Sequence, residues 1–439
     1  MQKRAVFWGV VVLSLTGCGL QKTSLPSIQT THVNEPLLSE MVHQWWRVFK
    51  DPVLNRLVER GLRANLDVAQ AQARLKQVSF QERQSRARLL PQLNGDLSTE
   101  KGSDSASEYS VVQAWDLSWE LDLWGRMRHE RTANAYQLQA AQLDAQWTAF
   151  LTSATLVELY FTAIIQRQKL ALFHQQIARV EDQIRLMERR VLSGLARASD
   201  LMQQENLRNE LRISLRSLQA QFRESLNAMA WLTANAPEGF EIQLPERLPP
   251  LPDRETLALP DLLRRPDIRS AFAKLNQRHQ VALVREAERY PIISLSLHGD
   301  RRQDQPSQNP IRWVIGQFIR LDVPLFDGGE RRAAAERQRA ATHEQWLSVK
   351  QAYLRGLSDL DNALTQLESR ERRWQLANDN LELNRKNLAL AEQQYYHGRL
   401  SYLNLLGIQN NLLDAENAQI DIQLLVYRGL VTVYKALGI

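Results

Sequence analysis

At 439 residues, with 55 Lys and Arg against 49 Asp and Glu, the chain carries a formal charge of +6 and a pI near 9.4. The two signs are interspersed as on solvated helix faces, so the basic excess gives no nucleic-acid footprint. One cysteine excludes an intramolecular disulfide, and eight scattered histidines without HExxH, GxSxG or a phosphate-cradling Gly loop offer no enzyme a site.

Residues 1–17 read as a secretory signal, with Lys3 and Arg4 ahead of an apolar run from Ala5 to Leu15. That run is shorter than the ~20 residues a spanning helix needs. Leu15-Thr16-Gly17-Cys18 resembles the lipobox of bacterial lipoproteins; the bland alternative is a plain signal peptide with an incidental cysteine. The resemblance implies cleavage before Cys18 and acylation of that residue, N-palmitoyl on the new amino terminus and S-diacylglycerol on the sulfur. With Gly19 next, it also implies sorting to the outer membrane. Residues 18–44 are polar with scattered Pro and Ser, a lipidated tether.

Trp45-Trp46 is expected to be a packing anchor, followed by a helix with Asp51 as N-cap and Pro52 at its first position. Asp67, Ala71, Ala73, Leu75, Ala87 and Pro91 return as Asp267, Ala271, Ala273, Leu275, Ala287 and Pro291, a shift of 200 residues. Both stretches read as helix, and after each proline the period drops from 3.6 to 2. Leu93 and Leu97, then Trp115, Leu117, Trp119 and Leu121, face away from Asn94, Asp96, Ser98, Asp116, Ser118, Glu120 and Asp122. The second half repeats this with Ile293, Leu295 and Leu297, a polar loop from Asp300 to Asn309, and Trp313, Ile315, Ile319, Leu321 and Val323. Each half therefore carries one hairpin. Strands of ~9–11 residues, apolar on one side and charged on the other, suit a wall between hydrocarbon and an aqueous lumen; a hairpin lying on a soluble core is the alternative. Four strands close no barrel, so subunits must pool them.

After Gly125 and Gly329 the chain is free of proline for long stretches, about 100 Å of helix in each half at 1.5 Å per residue. Ile177, Val180, Ile184, Met187 and Val191 keep a/d spacing, predicting a coiled coil. The resulting plan is two repeats, 45–236 and 266–439, joined by a Pro-rich connector at 237–265. The first holds hairpin 92–122, long helix 126–193 and return helix 198–234; the second holds hairpin 292–325, long helix 330–397 and return helix 401–437.

From Trp45-Trp46 through Asp51-Pro52, Leu90-Pro91, Trp119–Arg126, Arg265-Pro266-Asp267, Val323–Gly329, Gly398–Gln409 and Tyr434–Gly438, the chain is similar to TolC-like outer membrane efflux channels, in their lipoprotein branch. The resemblance implies an α+β membrane protein. It would be a homotrimer with a twelve-stranded β-barrel, four strands per chain, continuous with a periplasmic α-helical barrel. It further implies a periplasmic adaptor and an inner-membrane resistance-nodulation-division transporter as partners, with no resident cofactor. The helix-turn tips, Gly194, Leu195, Gly398, Leu400 and Ser401, would receive the adaptor. The gate would use Asp200 and Tyr395. The family's basic gate position carries Leu400 here, with Arg399 beside it, and Asn404 stands where many relatives have a carboxylate. A conduit for type I protein secretion or metal export, and a periplasmic helical adaptor, are the competing readings. An adaptor has no reason to carry four half-apolar strands.

Overall fold

The computed structural model describes residues 44–101, 109–252, 262–304 and 312–438, all within one unit, Pro36–Ile439. The signal sequence, Cys18 and the tether up to residue 43 lie outside the described residues, as do parts of the polar loops and of the connector.

The duplication is one of geometry as well as of sequence. Helices α1 (Pro52–Ala64) and α2 (Leu66–Ala87) lead into strands β1 (Gln92–Lys101) and β2 (Tyr109–Leu121), then α3 (Arg126–Leu192) and α4 (Ala198–Leu232). The second half runs α5 (Pro266–Ala287), β3 (Ile292–Asp304), β4 (Arg312–Asp322), α6 (Glu330–Tyr396) and α7 (Tyr402–Leu437). α2 and α5 each have 22 residues, and α3 and α6 each have 67.

The same local devices start and stop the long helices. Asp122 accepts from the amides of Met127 (3.0 Å) and Arg128 (2.9 Å), and Asp327 from those of Gly329 (2.9 Å) and Arg331 (3.3 Å), which satisfies first-turn donors where negative charge is favoured. At the far ends Gly194 (φ 69°) and Gly398 (φ 73°) take the left-handed conformation. The following amides, of Leu195 and Arg399, each bond back to the carbonyl five residues earlier at 2.8 Å.

Two cores hold the helices together, and the larger joins the halves. The larger gathers Trp45, Trp46, Phe49, Leu54 and Val58 against Leu156, Tyr160 and Phe161 of α3, Met229 of α4 and Val431 and Tyr434 of α7. Asp51 ties the entry into it, capping Val53 (2.8 Å) and Leu54 (3.2 Å) while accepting from the Tyr160 hydroxyl at 2.7 Å. Burial, then that carboxylate, push the Tyr160 pKa far up. The second core is the expected coiled coil: Phe173, Ile177, Val180 and Ile184 of α3 against Leu211, Leu215 and Leu218 of α4. Among the described residues α3 alone has a stretch long and apolar enough to cross a membrane, and 67% of that stretch is buried in the protein. It is the central core helix.

The strands form one antiparallel sheet in the order β1-β2-β3-β4. Here the structure corrects the sequence reading, which left two separate hairpins. β2 and β3 pair from Ser110↔Asp304 to Leu121↔Ile293, so the two halves already share a ladder within one chain. This pairing also carries β3 to Asp304, through residues expected to be loop, because Asp300 to Asp304 find backbone partners on β2. β4 ends at Asp322 rather than 325, and α4 ends at Leu232 rather than 234. β1 and β4 each keep one edge without a partner in the sheet.

Candidate functional site

Register turns the alternation of each strand into continuous faces. Leu93↔Leu117↔Leu297, Trp119↔Leu295↔Ile319 and Leu121↔Ile293↔Leu321 lie in successive apolar rows. On the opposite face, Asn94↔Asp116↔His298 makes one row, and Glu120↔Ser294↔Arg320 another. Leu93, Leu97, Ile315, Ile319 and Leu321 are all more than half exposed. Such a face cannot be left to water, and it matches a lipid-facing band. Its far end changes chemistry: Arg301 donates to Gln113 at 3.1 Å and lies 5.9 Å from the Trp313 ring, an amphipathic rim. Trp115 covers its cross-strand partner Gly299, where a Cβ would come within 2.3 Å of the indole; only glycine admits the ring. The polar face is less pure than its sequence suggested, because Val314 and Phe318 sit on it.

At the other end, about 100 Å away along α3 and α6, the two coils α3/α4 and α6/α7 meet. The seam between α3 and α7 is polar. Lys169 pairs with Asp421 (2.9 Å), and buried Glu416 accepts from Gln176 (2.9 Å) and Arg179 (2.6 Å). Further down, Gln204 of α4 donates to Gln409 of α7 (3.2 Å). At the tip the Arg190 guanidinium carbon stands 4.8 Å from the centroid of Tyr395, whose ring is 5.8 Å from that of Tyr402. These residues line a cavity of about 50 Å³. Burial raises the Tyr402 hydroxyl from 10.0 to about 12.

The residues expected at the gate do not all converge. Asp200 caps α4, accepting from the Arg197 amide and the Ser199 hydroxyl, both at 3.4 Å. Arg399 is exposed and makes no side-chain hydrogen bond or ion pair among the described residues. Asn404 is exposed, its amide bonded to the N-cap Ser401 at 3.3 Å. Leu195 and Leu403 project at the tips, 71% and 66% exposed. Sequence reasoning passed over Arg190, Glu416 and Gln204: only the side-by-side packing of the two coils, one from each repeat, brings them to their partners. Among the described residues no group of three or more His, Cys, Asp or Glu could hold a metal ion.

A two-faced sheet carried on ~100 Å of paired helices defines a membrane channel whose wall continues into a helical conduit. The family model described as "Outer membrane efflux protein" matches residues 57–235 and 261–439, and the chain belongs to that family: it is a TolC-like outer membrane efflux channel. It is 27% identical to the pyoverdine export outer membrane protein OpmQ of Pseudomonas aeruginosa, over 90% of this chain and 87% of that protein. It is 28% identical to nodulation protein T of Rhizobium leguminosarum bv. trifolii, over 84% and 81%. Among solved structures, the outer-membrane channel OprN superposes with a TM-score of 0.80 at 26% identity, covering 90% of this chain and 92% of that one. The Campylobacter jejuni CmeC outer membrane channel shares the fold, with a TM-score of 0.81 at 19% identity.

Proposed function

We propose that three copies join edge to edge, β4 of one chain against β1 of the next, to close a twelve-stranded barrel in the outer membrane. The observation that carries this is the four-stranded sheet with an exposed apolar face and two unpartnered edges, since a spanning sheet must satisfy every backbone group. Cys18, acylated by N-palmitoyl and S-diacylglycerol groups, anchors each chain to outer membrane lipid. The helical part crosses the periplasm and meets a periplasmic adaptor at Gly194, Leu195, Gly398, Leu400 and Ser401, where exposed Leu195, with Leu403 close to Leu400 in sequence, offers an apolar contact. The adaptor connects the channel to an inner-membrane resistance-nodulation-division transporter. The cargo is a drug or another small toxic compound; OpmQ, a relative named for pyoverdine export, supports small-molecule traffic.

The mouth is closed in the resting channel, where the long helices turn, and adaptor contacts bias it open. Chemical cross-linking of the detergent-purified mature protein tests the assembly: a ladder ending at three chains is expected, and a water-soluble monomer without detergent overturns it. Co-purification from membranes should bring down the adaptor through the tips. Palmitate labelling should vanish on Cys18→Ser.

A further inference from the structure

With Leu400 at the family's basic gate position, the Tyr395 ring is met by another cation. Arg190, in the last turn of α3, places its guanidinium over that ring at 4.8 Å. Tyr395 in turn leans on Tyr402, which is only 8% exposed at the start of α7. Three helices from both halves thus meet in one stack. The nearest ionic bridge across the seam, Arg179 to Glu416, lies about 16 Å higher at 1.5 Å per residue. The carboxylate of Asp200 is turned to its own helix start, where it accepts from the Arg197 amide.

We infer that the Arg190–Tyr395 stack, backed by Tyr402, is the latch that holds α6/α7 against α3 in the closed mouth, a cation–π contact in place of a salt bridge. This rests on the gate reading above. The chemistry separates the two kinds of latch. A guanidinium is drawn to the ring quadrupole, so the Tyr395 hydroxyl is dispensable and the aromatic face is not. Half-buried contacts are also less weakened by salt than exposed ion pairs. Glu392 lines the same small cavity and is the competing partner for Arg190.

Single-channel recording of the full-length lipidated channel in planar bilayers, at low and at molar salt, tests this. Arg190→Ala and Tyr395→Leu should each raise open probability roughly tenfold, as three copies of such a contact allow. Tyr395→Phe should stay closed, Arg190→Lys should fall between, and wild-type closure should persist in molar salt. The latch is overturned if Arg190→Ala stays closed, if Tyr395→Phe opens as far as Tyr395→Leu, or if Tyr395→Leu is silent while Arg190→Ala opens, which would give the role to Glu392. The milder Phe and Lys variants decide the matter should the larger truncations disturb the tip. Failure of the gate reading looks different: the wild type and every tip variant, Asp200→Ala included, would conduct alike.

Discussion

α3 and α6 hold the same place in the repeat and have the same length, yet they have become different surfaces. α3 buries 22 side chains, among them Leu156, Tyr160, Phe161 and Ile164, whereas α6 buries seven, four of them Ala or Gly. α6 instead leaves Leu376, Leu383 and Leu390, seven residues apart, 59–67% exposed. That spacing keeps the three on one helix face at a single heptad position, uncovered by any of the described residues. One copy of the duplicated helix serves the fold of the single chain; the other presents apolar side chains suited to neighbouring copies.

The sharpest way to break that contrast is a truncation in each helix. Phe161→Ala in α3 should cost about 3–5 kcal/mol in denaturant melts, because the ring is fully buried. Leu383→Ala should cost the isolated chain under about 1 kcal/mol and act mainly on the assembled oligomer. Equal losses would erase the distinction between the helices. Glu416→Ala, which strips buried Gln176 and half-exposed Arg179 of their acceptor, should lose about 1–3 kcal/mol, and Glu416→Gln less; thermal melts of both variants would show the order.

Burial on α7 adds an alkaline signature. Because burial raises Tyr402 from 10.0 to about 12, the unfolded chain ionises first, so the stability it contributes is complete below about pH 10 and is lost as pH rises to about 12. Tyr427, likewise raised to about 12 by burial, contributes in the same window. Melting temperature measured across that range should fall less steeply in Tyr402→Phe than in the native chain. The smallest effect is expected where α3 and α5 meet in solvent: Lys274→Ala breaks a half-exposed pair with Asp144 and should shift stability by no more than ~0.5 kcal/mol in the same melts.

Much of this molecule could be read before its structure. The 200-residue echo from Asp67 to Pro91 placed α2 and α5, the long stretches without proline placed α3 and α6, and alternation around Trp115–Leu121 assigned the lipid-facing side. These are local signals: helix period, strand period, glycine and proline punctuation, all written within a few turns of chain. What they could not supply is which distant segments meet. The β2–β3 ladder and the extension of β3 to Asp304 depend on backbone partners nearly 200 residues apart. Arg190 on Tyr395, and Glu416 between Gln176 and Arg179, exist because the coils of opposite halves pack side by side. The amino-acid order alone determined the elements, their lengths and their two-faced character, since each residue's own backbone and its near neighbours decide them. Tertiary packing alone decided that two hairpins become one sheet and that an arginine from the first repeat meets a tyrosine of the second, because those contacts are selected by the free energy of burying whole faces against each other.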